Sequence, residues 1–354
     1  MLSRSPHRFR HLRLGPVYRR PWRIPLGILG ACLVLTAVIA GLVWWGSRPV
    51  DAASAATVRI FIPAGSPVES IGEILHRGGV IRHPLVFRAL VEWMGVSTRL
   101  RAGEYDLSPA MNLREIIRRL VRGEVVTYSF TVPEGFTVEQ IADLLARLGL
   151  ADREKFLRAA SRPELAPCPP PRPHLVRYAL EGYLFPDTYR VPRGTSEPEL
   201  VSLMVRRFQE IWQGELGEKA RAQGISVHDV VTLASIVEKE TQVPDERPVV
   251  AGVFWNRLRR GMPLQADPTV LYALGKVGGT LLRRDLQVDS PYNTYLYAGL
   301  PPGPIANPGQ AALRAVVEPA ATDYLYFVAR GDGTHHFSRT LREHLQAVRR
   351  YRSR

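Results

Sequence analysis

Ser226-Val-His-Asp-Val-Val-Thr-Leu-Ala-Ser-Ile-Val-Glu-Lys-Glu-Thr241 reads as a capped helix that ends in two carboxylates. Ser226 and Asp229 form a capping box with Asp in place of the usual Glu. Val230, Leu233, Ala234 and Val237 recur at helical spacing and make an apolar face. A helix turns about 100° per residue, so Glu238 and Glu240 fall on opposite flanks of that face and Lys239 points away. Glu240 follows Leu233, Ile236 and Val237, whereas Glu238 neighbours Val231, Ala234 and Ser235. The bulkier flank belongs to Glu240, so burial should raise its pKa more. A glutamate that stays protonated near neutral pH is what an acid that cleaves a glycosidic bond requires. Spacing alone also fits a plainer reading: two exposed helix-end carboxylates that cap the helix or pair with Arg247 or Arg257.

Working outward, a helix is expected over Glu197–Ala220 and another over Asp245–Arg260, the latter carrying Val249, Val250, Val253, Phe254 and Leu258. A strand at Tyr324–Ala329, a turn at Arg330-Gly-Asp-Gly-Thr334 and a basic helix at Arg339–Tyr351 follow. Upstream, Ala166-Pro-Cys-Pro-Pro-Pro-Arg-Pro173 cannot continue a helix and marks a hinge, near which the domain boundary is expected. Before it, Ile62-Pro-Ala-Gly-Ser-Pro-Val-Glu-Ser-Ile71 matches Val132-Pro-Glu-Gly-Phe-Thr-Val-Glu-Gln-Ile141 as an internal repeat of strand, Pro-x-Gly turn and helix. A fainter third copy lies at 107–117. Such units read either as a plain α+β scaffold or as a LysM-like module. Glu69 and Glu139 sit in the first helical turn, where a carboxylate suits the dipole.

The formal net charge is +14, but seven arginines (Arg4, Arg8, Arg10, Arg13, Arg19, Arg20, Arg23) supply half of it ahead of the first acid, Asp51. Ile24–Gly46 carries no charge and ends in Trp44-Trp45. That length spans a hydrocarbon core of about 30 Å. The arginines on its N-terminal side place the N-terminus in the cytoplasm and the rest of the chain outside it. A cleaved signal peptide is the competing reading, disfavoured by the length of the run and the poor cleavage site at Gly46-Ser-Arg-Pro49, although Ala52-Ala-Ser-Ala-Ala56 is a less poor one. Residues 48–56 read as a linker. No zinc finger or aromatic RNA-binding motif accompanies the charge, so nucleic acid is not the expected partner. Cys32 lies in the apolar run and Cys168 in the proline-rich loop, so no disulfide is expected. His335, His336 and His344 are a weak metal signal; a hairpin His pair without flanking carboxylates reads as structural, and neither metal nor cofactor is expected.

The C-terminal half resembles the MltG (YceG-like) family of endolytic murein transglycosylases. The matching segments are Glu181-Gly-Tyr-Leu-Phe-Pro-Asp-Thr-Tyr189, Leu233–Thr241, Val253-Phe-Trp-Asn-Arg-Leu258, Gly261-Met-Pro-Leu-Gln-Ala-Asp-Pro-Thr-Val270, Ser290-Pro-Tyr-Asn-Thr-Tyr295, Gly299–Pro308 and Tyr324–Val328. The resemblance extends over about residues 57–350 and also takes in the anchor; the insertion at 166–173 departs from it. It implies one catalytic glutamate, Glu240, that protonates the linkage between N-acetylmuramic acid and N-acetylglucosamine. The same group then acts as base on the sugar's 6-hydroxyl, closing a 1,6-anhydro ring. Glu238 and Asp267 remain candidate second acids. Asn256, Gln265, Asp267, Tyr183, Tyr292, Asn293 and Tyr295 are candidate glycan contacts, although a core role suits each aromatic as well. The Gly299–Ile305 loop is expected to wall the cleft.

The fold class expected is α+β: a basic tail (1–23), a transmembrane helix (24–46), a LysM-like repeat subdomain (57–150) and a mixed α/β catalytic domain (176–354). The partners implied are peptidoglycan strands, the inner membrane through the single helix, and peptidoglycan synthases, with a role as terminator of glycan elongation.

Overall fold

A computed structural model describes residues 26–352. The basic tail and its seven arginines lie outside the described residues. The chain divides into two compact units, the first ending at Glu124 and the second beginning at Val125.

The first unit opens with α1 (Leu26–Gly46), whose side chains from Ile28 to Leu42, with Trp44 and Trp45, are exposed. Among the described residues it is the one helix long and apolar enough to cross a membrane, over Ile28–Gly46. β1 (Val58–Ile62), α2 (Val68–Arg77), α3 (Pro84–Trp93), β2 (Gly103–Leu107) and α4 (Leu113–Arg122) follow. β1 and β2 pair antiparallel with Ile60 opposite Tyr105. Ile62, Leu75, Phe87, Tyr105, Ile116 and Leu120 fill the core beneath them.

The second unit contains β3 (Thr127–Thr131), α5 (Val138–Arg147), α6 (Arg153–Ala160), β4 (Thr188–Pro192), α7 (Glu197–Trp212), α8 (Glu215–Ala222) and α9 (Val227–Glu240). It continues with α10 (Arg247–Arg259), α11 (Asp267–Ala273), α12 (Gln310–Val317), β5 (Tyr326–Ala329), β6 (His335–Ser338) and α13 (Leu341–Arg352). Its strands form two separate antiparallel ribbons, β3 with β4 and β5 with β6. Helices thus dominate and the sheets are small, an α+β architecture.

The division falls at 124/125 and not in the proline-rich loop. Phe130 on β3 faces Tyr189 on β4, and α5 and α6 share one core with α7. That pairing draws residues 125–150 into the second unit. The helix expected over 197–220 breaks at Gln213-Gly214, where Gln213 closes α7 by donating to Gln209 O. The Pro-x-Gly turns of the two related segments take the same left-handed backbone, φ 75° at both Gly65 and Gly135, a conformation glycine adopts without Cβ strain.

α9 departs from the one-faced helix read in the sequence. Every residue from Val230 to Val237 is buried, Thr232 and Ser235 included. A helix apolar on all sides belongs in the centre of a core, and α9 packs against α8, α10, α11 and α12. Burying each large aliphatic there is worth about 1.5–3 kcal/mol. The two buried hydroxyl and imidazole groups that face the Gly299–Pro308 loop are satisfied by it. Ser235 Oγ accepts from Ile305 N at 3.0 Å, and His228 Nε2 lies 2.9 Å from Pro302 O. The loop therefore braces α9; the cleft described next is not lined by it.

Candidate active site

α9 ends in the sequence Glu238-Lys239-Glu240, and the two glutamates leave the helix into different surroundings. Glu238 is held on both oxygens. Arg247 Nη2 donates to Oε1 at 2.9 Å and Gly309 N donates to Oε2 at 2.9 Å, and its side chain is 6% exposed. It fastens the end of α9 to the starts of α10 and α12. Glu240 has no hydrogen-bond partner among the described residues and faces a cleft of about 510 Å³. Burial pushes its pKa up to about 8, the Asp267 carboxylate adds to the rise, and the Arg257 guanidinium opposes it. Its place as the last residue of α9 acts in the same direction, because the carbonyl end of a helix disfavours negative charge. Burial also raises Glu238, but the Gly309 N–H and Arg247 work against that rise.

A third carboxyl shows why the pKa alone does not locate the site. Glu181 is also pushed by burial to about 8. It is 2% exposed and accepts from Val138 N, Asn307 Nδ2 and Tyr272 OH at 3.0, 3.2 and 3.1 Å. It joins the start of α5 to the Asn307 loop and α11 and has no access to the cleft. Glu240 alone of the three combines a raised pKa with an uncommitted carboxyl on open space.

The cleft around Glu240 is built from two directions. One side is Leu264, Gln265, Asp267, Arg257 and Tyr295. Gln265 holds a left-handed backbone, φ 50°, the one non-glycine with positive φ among the described residues. Such strain persists where surrounding structure over-determines it, often at functional sites. Here Gln265 N donates to Thr294 O and Ala266 N to Thr294 Oγ1, each at 3.0 Å. Arg257, 7% exposed, donates to Leu325 O, Leu264 O and Pro263 O and reaches Gln265 Oε1 at 3.4 Å. Tyr295 OH donates to Asp267 Oδ1 at 2.5 Å.

The other side is the β5–β6 hairpin and α13, contributing Phe327, Val328, Ala329, His335, His344 and Tyr351 among others. His335 is fixed by Glu246, which accepts from His335 N at 2.9 Å and bonds Nδ1 at 2.6 Å. Its Nε2 has no hydrogen-bond partner among the described residues. The carboxylate that holds His335 is distant in sequence, so no metal-ligand spacing announced it. No group of three or more metal-binding side chains occurs among the described residues.

Of the expected glycan contacts, Gln265, Asp267 and Tyr295 line the cleft with Glu240. Asn293 lies one step behind, fully buried. Its Nδ2 donates to Leu286 O and Val288 O, and its Oδ1 accepts from Tyr295 N, so it sets the turn that presents Tyr295. Asn256 donates to Thr322 O and Tyr324 O and accepts from Arg259, tying α10 to the segment before β5. Tyr183 is core, edge-on to Phe208. Tyr292 packs on Tyr272 with ring centroids 4.9 Å apart, beside a separate hollow. Thr241, which follows Glu240, accepts from Val243 N through its hydroxyl and is 2% exposed. Sequence spacing missed Arg257 and His335 as cleft residues, because tertiary packing alone brings them to Glu240's cleft.

The sequence model of the YceG-like family matches residues 60–350. The chain belongs to the YceG-like family. A Bacillus subtilis protein named endolytic murein transglycosylase is 37% identical over 333 residues, covering 89% of this chain and 91% of that protein. A Streptococcus pneumoniae protein of the same name is 34% identical over 308 residues, covering 79% of this chain and 56% of that protein. The crystal structure of a YceG-like protein from Listeria monocytogenes superposes with a TM-score of 0.58 at 37% identity, covering 83% of this chain and 99% of that one.

Proposed function

We propose that this YceG-like protein is an endolytic lytic transglycosylase. It cuts the linkage from N-acetylmuramic acid to N-acetylglucosamine within peptidoglycan strands and leaves 1,6-anhydro ends. The observation that carries the reading is Glu240: a carboxyl protonated to about pH 8, without a hydrogen-bond partner among the described residues, on a cleft of about 510 Å³. Protonated, it donates to the departing glycosidic oxygen. Ionised by that transfer, it takes the proton of the sugar's own 6-hydroxyl as that oxygen attacks the anomeric carbon. The proton balance closes on one side chain, and no water is consumed. Tyr295, Gln265 and Asp267 supply donors and acceptors for the sugar hydroxyls. Phe327 and Tyr351 supply flat apolar surface for its faces.

Asp267 in the same cleft supports a second reading, a hydrolase in which it positions water opposite Glu240. Mass analysis of products from purified peptidoglycan separates the two, since anhydro ends are lighter by one water. Hydrolysed ends as the main product would overturn the transglycosylase reading.

The setting follows from α1. It anchors the protein in the inner membrane as a single pass, with the arginine-rich N-terminus cytoplasmic and the chain after Gly46 outside. A tethered cleft works on nascent strands near the membrane, which suits a terminator of glycan elongation acting beside peptidoglycan synthases. A LysM-like role for the β-turn-α segments rests on the shared φ of Gly65 and Gly135 and on their common element order. Protease protection in vesicles tests the orientation: the tail should be cleaved only from the cytoplasmic side.

A further inference from the structure

Within the first unit, the chain leaves α1 under restraint. Ser47 O accepts from Leu113 N at 3.1 Å, and Asp51 N donates to Pro109 O at 3.1 Å. Arg82 Nη2 donates to Pro49 O at 2.7 Å and to Val50 O at 3.0 Å. Gly46 lies so close to α3 that a Cβ there would come within 2.7 Å of Val86 Cγ2. The stretch read in the sequence as a linker is therefore pinned over its first residues.

These contacts also fix how α3 meets the exit of α1. Its first turn abuts Gly46 through Val86. Its last residue, Trp93, lies under the Arg114 guanidinium at 5.6 Å, and the adjacent Leu113 bonds Ser47. Both ends of α3 are tied to the same few residues, so the helix lies across the exit and does not point away from it. Its outer face carries an apolar stripe, Leu85, Ala89 and Trp93 at four-residue spacing, all exposed, flanked by the exposed pair Arg88 and Glu92. Leu85 is 67% and Trp93 75% exposed. Cations cover the tryptophans of this stripe and of the end of α1. Arg48 stacks on Trp44 at 3.6 Å, Arg82 faces Trp45 at 5.1 Å, and Arg114 covers Trp93. None of these three arginines pairs with a carboxylate among the described residues, whereas Arg88 is shared between Glu69 and Glu92, a group of net charge −1.

We infer that the Leu85–Ala89–Trp93 face of α3 rests in the headgroup layer of the anionic bilayer that α1 enters. The proposal rests on reading α1 as a membrane span. Leucine and tryptophan on one helical face partition into the interface, and the nearby arginines are drawn to anionic headgroups. The bilayer is the occupant because the face is continuous with the level of Trp44 and Trp45, where a spanning helix meets headgroups. The first unit is then held at a fixed attitude on the membrane and does not swing on a tether.

The test uses the full chain in nanodiscs containing phosphatidylglycerol, with a fluorophore on one cysteine. Cys32 carries it in a Cys168→Ser background and reports on α1. Ala89→Cys carries it in a Cys32→Ala, Cys168→Ser background and reports on α3. Lipids with a quencher high on the acyl chain should dim position 89 about twofold, and quenchers near the chain ends should dim Cys32. Leu85→Ser with Trp93→Ser, or Arg48→Gln with Arg114→Gln, should restore the position-89 signal and leave Cys32 quenched. Quenching at Cys32 alone in the otherwise unaltered chain would overturn the docking and leave the anchor standing. No quenching at either position would overturn the anchor reading as well. A blue shift at position 89 that depends on protein concentration in lipid-free detergent would assign the face to a second copy and overturn the lipid proposal.

Discussion

Glu240 differs from the two other raised carboxyls in what its oxygens touch, and that difference sets what its substitution does. Glu240→Gln keeps the shape and removes the proton. Initial rates should fall by about 10²–10⁴, while circular dichroism stays unchanged. Stability should move the other way. Unfolded, Glu240 ionises near its ordinary value of 4.5; folded, it keeps its proton to about 8. Between those values the unfolded chain binds fewer protons, so this carboxyl's contribution to stability is full below about 4.5 and declines as pH rises towards 8. Above neutral pH, Glu240→Gln should therefore raise stability by about 1–2 kcal/mol, a figure discounted for the carboxyl's partial exposure. Urea titration at two pH values checks it. Glu181 also holds its proton to about 8, so part of the alkaline loss will remain in the variant. Activity that needs the protonated acid should fall as pH climbs through about 8. Asp267→Asn removes a charge that raises Glu240, so the falling limb of its pH–rate profile should shift to lower pH. An unchanged limb would mean that the two groups are not coupled.

At the scale of elements, Glu238 is a fastener. Glu238→Ala leaves Arg247 to the more distant Glu134, at 3.6 Å, and frees the N–H of Gly309, loosening α9 from α10 and α12. Breaking a buried pair in this way costs about 3–5 kcal/mol. Denaturant titration should show that loss, with the rate per folded molecule retained. The sequence made this assignment half legible: helical rotation separated the two glutamates, and Arg247 was among the partners considered for the plainer reading. What it could not show was α9's burial on every side. Thr232 and Ser235 look like a polar face, but Ser235 takes its partner from Ile305, seventy positions on. The same limit applies to Asn256 and Asn293. Their side-chain amides suit sugar hydroxyls and backbone carbonyls equally well, and only tertiary placement shows that each is spent on backbone. Gln265 gave no warning of its left-handed φ, because Thr294 imposes it from outside the local sequence. Gln265→Gly should relieve that strain, about 0.5–1 kcal/mol of gain, while lowering activity through the lost contact with Arg257. Thermal unfolding beside Gln265→Ala, which keeps the strain, separates the two effects.

For the whole molecule, α1 was readable from composition, since an uncharged run ending in Trp44-Trp45 depends on no distant partner. The boundary between units was not readable. The proline cluster at 166–173 looked like a divide, yet β3 pairs with β4 across it. Pairing between distant strands leaves no local trace. A chain begun after Gly46 should stay soluble and still release anhydro ends from purified peptidoglycan, because the cleft lies wholly within the second unit. Its loss of activity would tie the chemistry to the anchor. The central claim is narrower: one proton on one side chain cuts the glycan. Its most direct test is the initial rate of anhydro-end release from purified peptidoglycan by the unaltered chain, Glu240→Gln and Glu238→Gln, each normalised to folded protein. Release should collapse in Glu240→Gln and persist in Glu238→Gln. Persistence in Glu240→Gln with collapse in Glu238→Gln would contradict the account.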